Sequence, residues 1–205
     1  MSFYGFARAV TGIYAKLFYR AEYHGRENEP EGGRIIVLSN HSSFTDPIFT
    51  SNAIKRELTF IARSSLEKHF LLRSILRACH IIPIKRGESD IQALRIVCAA
   101  LEEEKSLGIY PQGTRMPGVK PEPEQAMAGI GLMASRGKAT LLPVAICCGK
   151  NKKGKPCIFR KVRVYVGRPI TYEEYSSINE RPNSHEIARY AFSKVCELFE
   201  EHNGE

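Results

Sequence analysis

The chain has 205 residues, of which 43% are hydrophobic and 25% are charged. This composition is typical of one folded domain and excludes a disordered, collagen-like or solenoid protein, since no fixed-period repeat is present. Thirty Lys and Arg against 22 Asp and Glu give a formal net charge of +8, which favours an anionic partner.

Neither a spanning helix nor a secretion signal is indicated. A transmembrane helix needs about 18 apolar residues, whereas the most apolar stretch, Ala139 to Cys148, is short and contains Pro143. The N-terminus lacks the charged region, apolar core and cleavage site of a signal peptide, so we expect a cytosolic protein. Six scattered cysteines form no C-x-x-C pair, which predicts reduced thiols, several of them in the core, and no metal site.

Residues 1–22 predict a basic amphipathic helix that precedes a domain spanning residues 23–205. Its apolar face at helical spacing consists of Phe3, Phe6, Val10, Ile13, Tyr14, Leu17 and Phe18, and Arg8, Lys16 and Arg20 fall opposite. Such a helix suits an anionic bilayer surface, because its apolar face can enter the acyl boundary while its bases meet lipid phosphate. The alternative is a helix that packs on its own domain.

The rest of the chain alternates short apolar runs with helical patterns. The predicted strands are Arg34–Ser39, Leu58–Ile61, His80–Ile84, Leu107–Tyr110, Thr140–Ile146 and Arg160–Val166. The predicted helices are Pro47–Lys55, Ser64–Ala78, Ser89–Lys105, Gln125–Ser135, Thr171–Ser177 and Ser184–Glu201. This order implies an α/β fold with a largely parallel central sheet flanked by helices. Capping boxes are predicted at Ser89 with Gln92 and at Thr171 with Glu174.

A polar segment, Asn40-His-Ser-Ser-Phe-Thr-Asp-Pro47, follows the first predicted strand, where ligands bind in open α/β sheets. A bent loop can bring the Asp46 carboxylate to one imidazole nitrogen of His41, so that the other nitrogen faces outward as a base. Asp46 also has the pattern of a helix N-cap followed by a first-turn proline, a role that could replace this contact or coexist with it, since a carboxylate has two oxygens. No protein nucleophile accompanies the pair, which indicates that the attacking hydroxyl belongs to a substrate.

Two basic segments also follow predicted strands. In Ile82-Pro-Ile-Lys-Arg-Gly-Glu88, Arg86 has the bidentate geometry that suits phosphate. In Gly108-Ile-Tyr-Pro-Gln-Gly-Thr-Arg115, the backbone around the second glycine, the threonine hydroxyl and Arg115 form a candidate anion cradle. A solvated arginine on an ordinary turn is the alternative for each segment. Three polar loops at successive strand ends favour one shared site.

The blocks NHSSFTDP, IPIKRG, YPQGTR and LLPVAI, in this order and at these intervals, resemble the four motifs of the 1-acylglycerol-3-phosphate acyltransferases. The resemblance runs from His24 to Ile170 and covers most of the chain. It implies transfer of a fatty acyl group from a thioester, on coenzyme A or acyl carrier protein, to the free hydroxyl of lysophosphatidic acid or a related lysophospholipid. It also implies that no metal or redox cofactor is used.

The same resemblance implies roles for individual residues. His41 would deprotonate the acceptor hydroxyl and Asp46 would orient it. The residues expected around the acceptor and its phosphate are Arg63, Arg86, Gln112, Gly113, Thr114 and Arg115.

Two positions depart from the family pattern. Gln112 stands where the family usually has an acid, and Met127 stands where a lysine is common, so both changes remove a charge from the expected acceptor site. An amide can still accept and donate hydrogen bonds, which would let Gln112 make the same glycerol or loop contact. These departures motivate a second hypothesis, a catalytically silent lipid-binding module of the same fold.

The basic N-terminus and the resemblance together predict a peripheral protein on the cytoplasmic face of the cell membrane. Its expected partners are an anionic membrane surface, a lysophospholipid acceptor, and acyl-CoA or acyl carrier protein as donor. The basic run from Lys150 to Arg168 would serve the membrane or the donor, or is simply a solvated face. A nucleic-acid-binding domain is suggested only by the basic composition; no nucleic-acid module is recognisable, and we predict no such partner.

Overall fold

The computed structural model describes residues 2–63, 82–84, 90–149 and 161–203. The described helices are α1 (Phe3–Tyr19), α2 (Asp46–Ala53), α3 (Asp90–Glu102), α4 (Ala128–Gly137), α5 (Tyr172–Ser176) and α6 (Ser184–His202), with 3-10 turns at Arg26–Asn28 and Pro123–Gln125. The described strands are β1 (Glu22–His24), β2 (Ile35–Ser39), β3 (Leu58–Arg63), β4 (Ile82–Ile84), β5 (Ser106–Ile109), β6 (Thr140–Cys148) and β7 (Val162–Val166).

These strands form one sheet in the order β1-β7-β6-β2-β5-β3-β4. Every neighbouring pair is parallel except β6 with β7, so the predicted α/β fold with a largely parallel sheet is confirmed. All five residues of β2 are buried, which explains the uninterrupted apolar run that precedes Ser39. Because β2, β5, β3 and β4 run in the same direction, their carboxyl ends lie along one edge of the sheet.

The sheet separates two apolar clusters, and β2 contributes to both. Ile36 and Leu38 belong to the cluster that contains α3, α4 and α6, whereas Ile35 and Val37 belong to the one that contains α1 and α2. The cysteines in the described part of the chain are free thiols, and Cys147 and Cys196 are buried, as predicted. None of the described helices has the length and apolar character needed to cross a bilayer.

Some element boundaries differ from the predicted ones. The helix predicted from Gln125 begins at Ala128, because Pro123–Gln125 forms a separate 3-10 turn. Strand β1 was not predicted, since three residues that include Glu and His carry no strand pattern. The predicted helix Ser64–Ala78 lies outside the described residues, as does the capping box predicted at Ser89.

The capping box predicted at Thr171 is half formed. The Thr171 hydroxyl accepts the N–H of Glu174, but the Glu174 carboxylate instead binds Arg168 and Tyr190. A complete capping box opens α6, where the side chains of Asn183 and Glu186 each accept the other's backbone N–H.

Helix α1 packs on the domain through the face opposite its apolar one. Its buried residues are Tyr4, Ala15 and Tyr19. The Tyr4 hydroxyl accepts the N–H of Leu58 over 2.9 Å, which ties the start of α1 to β3. The large apolar side chains remain outside, with exposed fractions from 40% to 69% for Phe3, Phe6, Val10, Ile13, Leu17 and Phe18. The helix therefore packs on its own domain and still presents an apolar surface to solvent.

Arg8 corrects one part of the amphipathic-helix prediction. Its guanidinium does not face outward, because Nη1 donates to the carbonyls of Ile54 over 3.2 Å and Lys55 over 2.5 Å. These carbonyls lie just after α2, where a helix leaves acceptors without intrahelical partners. Lys16 and Arg20 are exposed, so they remain the basic groups that α1 can offer to an anionic surface.

We expect two glycines of α4 to respond oppositely to alanine. A Cβ on Gly131 would lie 1.9 Å from the carbonyl oxygen of Ser184 in α6, so Gly131→Ala must push the helices apart and should lower the free energy of unfolding by about 1–3 kcal/mol. A Cβ on Gly129 meets nothing within 4 Å, so Gly129→Ala should raise it by about 0.5–1 kcal/mol. Urea unfolding measures both variants, and equal effects would contradict the described helix contact.

Candidate active site

The loop after β2 brings the His41 imidazole and the Asp46 carboxylate together. Nδ1 of His41 lies 2.9 Å from Oδ2 of Asp46, and the same oxygen accepts the backbone N–H groups of Ser42 and Ser43 over 2.6 and 2.7 Å. A carboxylate that already accepts two N–H donors acts as an acceptor toward the ring as well, so the contact is made by an Nδ1–H donor and Nε2 is the ring nitrogen left free of Asp46. The predicted contact is confirmed, while its catalytic role stays a prediction.

Asp46 is not the N-cap of α2. Thr45 occupies the cap position and Asp46 is the first helical residue, followed by Pro47. The carboxylate turns back to the preceding loop, which makes the N-cap interpretation wrong. Its side chain is fully buried, and Oδ1 has no hydrogen-bond partner among the described residues. All three bonds to the carboxylate therefore converge on Oδ2, and they shape the loop around the imidazole.

The loop after β5 holds the backbone of His41. The His41 N–H donates to Oε1 of Gln112 over 2.7 Å, and the His41 carbonyl accepts the N–H of Met116 over 2.7 Å. The ring of Tyr110 stacks on the imidazole with centroids 4.1 Å apart and an interplanar angle of 17°. Two of the three polar loops predicted to share a site therefore meet at His41.

Tyr110 is fixed in turn by α2. The Thr50 hydroxyl donates to the carbonyl of Asp46 over 3.1 Å, so the Tyr110 hydroxyl, 3.3 Å away, donates to Thr50. Desolvation of the Tyr110 hydroxyl and the nearby Asp46 carboxylate raise the pKa of this phenol well above its usual value. The uncharged Tyr110 ring therefore packs against the imidazole and does not act as an acid or a base.

Asn40 joins the end of β2 to β6. Its Nδ2 donates to the carbonyl of Ile146 over 3.0 Å, and its Oδ1 accepts the Ile146 N–H over 2.8 Å. Sequence reasoning assigned no role to Asn40 or Tyr110. The only signal was that both residues lie inside the motif blocks, Asn40 next to His41 and Tyr110 next to Pro111. The contacts of Asn40 with Ile146 and of Tyr110 with His41 join distant parts of the chain, so no local pattern indicates them.

The residues expected to bind the acceptor differ in placement. Gly113, with φ of 63°, Thr114 and Arg115 are exposed on the turn beside the His41 loop. The Arg115 guanidinium lies over the ring of Phe44, 5.6 Å from its centroid, and so also joins the two loops. The Gln112 side chain is instead directed into the protein, with 8% of its surface exposed.

The two remaining arginines cannot be placed around the ring. The backbone of Arg63 ends β3 and β4 ends at Ile84, both at the sheet edge that carries His41. The side chain of Arg63 and the whole of Arg86 lie outside the described residues. Within the described ranges, no group of three or more His, Cys, Asp or Glu side chains is arranged to hold a metal ion.

Together, a parallel sheet, a His–Asp pair at the end of β2 and an exposed glycine-arginine turn beside it are features of a group-transfer enzyme. A family model named Acyltransferase matches residues 20–147, which is more than half of the chain. The chain therefore belongs to this acyltransferase family, as its motifs predicted.

Comparison with characterised proteins agrees. The chain is 24% identical over 201 residues to a 1-acyl-sn-glycerol-3-phosphate acyltransferase of Bacillus subtilis, covering 95% of this chain and 96% of that protein. It is 25% identical over 149 residues to a protein of the same name from Borreliella burgdorferi, covering 69% of this chain and 57% of that one. The crystal structure of the 1-acyl-sn-glycerophosphate (LPA) acyltransferase PlsC from Thermotoga maritima shares the fold, with a TM-score of 0.67, 22% identity, and coverage of 90% of this chain and 73% of that one.

The raised pKa of Tyr110 predicts how stability changes at high pH. The unfolded chain ionises this phenol above about pH 10 and the folded chain does not, so its contribution to stability is complete below that pH and is lost as the pH rises. Tyr110→Phe should therefore lose less unfolding free energy than the parent between about pH 8 and pH 11, because it has no phenol to ionise in the unfolded chain. Urea unfolding at both pH values measures this difference, and an identical loss in the two proteins would contradict the buried phenol.

Proposed function

We propose that the protein transfers a fatty acyl group from a thioester to the free hydroxyl of lysophosphatidic acid or a closely related lysophospholipid, giving phosphatidic acid or its analogue. The observation that carries this proposal is the 2.9 Å contact between Nδ1 of His41 and Oδ2 of Asp46, which would hold the ring so that Nε2 serves as the base, with the exposed turn of Gly113 to Arg115 on the neighbouring loop. The names of the Bacillus and Borreliella relatives support the same acceptor.

The proposed chemistry needs one base and one acid, and a single imidazole can serve as both. Nε2 removes the proton from the acceptor hydroxyl, whose oxygen attacks the thioester carbonyl. The C–S bond of the tetrahedral intermediate then breaks, and the leaving thiolate takes the proton back from the imidazolium. Asp46 stabilises that transient positive charge and keeps the ring in the productive tautomer. The products are an ester and a free thiol, and His41 returns to its starting state.

The acceptor phosphate needs cationic or N–H donors near this base. Arg115 is exposed and its guanidinium lies over the face of the Phe44 ring, so its N–H edge can pair with phosphate. Gly113 and Thr114 share the exposed turn, which supports a role in shaping it around the phosphate. Arg63 and Arg86 remain proposed phosphate ligands on the basis of the motif resemblance.

The departures at Gln112 and Met127 are compatible with an active enzyme. Neither removes a group from the pair of His41 and Asp46, because Gln112 contacts the backbone of His41 and Met127 covers Gly113. The silent lipid-binding module is therefore the weaker candidate. The proposed donor is the thioester of acyl-CoA or of acyl carrier protein. Most of the basic run from Lys150 to Arg168, predicted to meet the membrane or the donor, lies outside the described residues.

We further propose that α1 docks the enzyme on the cytoplasmic face of the cell membrane as a peripheral protein. Its exposed apolar side chains form a face that the rest of the described domain does not cover, and exposed Lys16 and Arg20 can meet lipid phosphate. Its packed face is bound to α2 and β3, so docking would bring the domain itself to the bilayer. A lysophospholipid acceptor and a fatty product both reside at such a surface.

Loss of the base is expected to abolish transfer. His41→Ala should lower kcat for acyl transfer to lysophosphatidic acid by about 10²–10⁴-fold, because no other described group replaces the general base. His185→Ala, which removes an exposed histidine at the start of α6, is the matched control and should keep full activity. Product mass, measured with acyl-CoA and with acyl carrier protein as donor, tests reaction and donor together. Equal rates for the two variants would remove His41 from the mechanism.

Membrane binding should depend on the outer face of α1. The triple variant Phe6→Ser, Ile13→Ser, Leu17→Ser removes exposed apolar surface without altering the packed face, and should abolish sedimentation with anionic liposomes. Val119→Ser, which removes an exposed apolar side chain outside α1, is the control and should bind as the parent does. Unchanged sedimentation of the triple variant would exclude α1 as the docking element.

A further inference from the structure

Gln112 begins a chain of side-chain amides that joins His41 to the loop before α4. Its Oε1 accepts the His41 N–H over 2.7 Å, and its Nε2 donates to Oε1 of Gln125 over 2.6 Å. Nε2 of Gln125 then donates to the carbonyl of Lys120 over 3.1 Å. Both polar ends of Gln112 are therefore bound within the protein, so its amide makes no use of the open side of the turn.

The direction of this amide chain is set at both ends. The His41 N–H can only donate, so the oxygen of Gln112 must face it. The Lys120 carbonyl can only accept, so the NH₂ group of Gln125 must face it. With these orientations, the NH₂ group of Gln112 faces the side-chain oxygen of Gln125 and donates to it. All three hydrogen bonds from His41 to Lys120 then join a donor to an acceptor.

We propose that Gln112 is a positioning residue that acts with Gln125 to hold the His41 peptide, and that it is not a substrate contact. The Met116 N–H donates to the carbonyl of His41 from the same loop, so this loop binds both the N–H and the carbonyl of His41. The imidazole is bound independently, by Asp46 and by the stacked Tyr110 ring. Gln112 thus fixes the position of the His41 backbone, and with it the imidazole, whereas Asp46 binds the ring nitrogen.

The amide chain gives a physical reason for a glutamine, rather than an acid, at position 112. A glutamate at this position could accept from the His41 N–H but could not donate to Gln125. Gln125 would have to turn its amide, and its oxygen would then oppose the Lys120 carbonyl. The residues at 112 and 125 are therefore matched, and an acid at 112 requires a pure donor at 125.

Three variants test this matching. Gln112→Glu changes the amide to a carboxylate of nearly the same shape. The double variant Gln112→Glu, Gln125→Lys supplies an ammonium group that can donate both to the carboxylate and to the Lys120 carbonyl. Gln92→Glu introduces the same charge at an exposed position on α3 and is the matched control. The kinetic measurement rests on the proposed function, with lysophosphatidic acid and an acyl thioester as substrates.

We expect Gln112→Glu to lower kcat by about 10-fold to 100-fold, with KM for lysophosphatidic acid changed by less than about twofold, since a displaced base slows the reaction without removing a binding group. The double variant should regain most of the lost kcat, and Gln92→Glu should match the parent. A raised KM with unchanged kcat would show a substrate contact and overturn the inference, as would a double variant no better than the single one.

Hydrogen exchange of residues 38–46, measured by mass spectrometry without substrate, gives a readout that needs no assumption about the reaction. Exchange should be faster in Gln112→Glu and return toward the parent rate in the double variant, because the side chain that accepts the His41 N–H loses and regains its anchor at residue 125. Parental exchange in Gln112→Glu overturns the inference. If the parent enzyme transfers acyl groups to no lysophospholipid, the proposed function fails, while the exchange rates still decide whether Gln112 positions His41.

Discussion

One carboxylate oxygen organises the candidate site. Oδ2 of Asp46 accepts the His41 ring N–H and the N–H groups of Ser42 and Ser43, and the side chain that carries it is fully buried. Hydrogen bonds to a charged acceptor are stronger than neutral ones, and a buried carboxylate without them would be very costly. The loop must therefore fold around this oxygen, and that fold gives the imidazole its tautomer. The base, the start of α2 and the shape of the loop all follow from this arrangement.

The parallel sheet supplies the second constraint. β2 lies between β6 and β5, so the residues just beyond its carboxyl end have a neighbouring strand on each side. Asn40 forms hydrogen bonds with the backbone of Ile146 in β6. The backbone of His41 forms hydrogen bonds with Gln112 and Met116 in the loop after β5. These contacts continue the order of the sheet past the end of β2. A reactive side chain placed there inherits the rigidity of the sheet while remaining at its open edge.

Helix α1 gives the enzyme two different surfaces. Tyr4, Arg8, Ala15 and Tyr19 attach it to α2 and β3, while its largest apolar side chains face solvent. An exposed apolar face of this kind is costly in water and is usually covered by a partner or a membrane. Because the acceptor and product of the proposed reaction are lipids, a bilayer is the covering surface that fits the chemistry of the site.

The amino-acid pattern alone determined the fold class, the order of the main strands and helices and the polar loops at strand ends, while the resemblance of four motif blocks indicated the family. It did so because periodicity reports burial within one element, and because the spacing of His41 and Asp46 within one loop allows their contact. Only the tertiary structure decided that Gln112 and Arg8 point inward, that Tyr110 stacks on His41 and that Asn40 pairs with Ile146. Those contacts join residues as far as 71 and 106 positions apart, and such pairs are set by strand order and register, which no local pattern records.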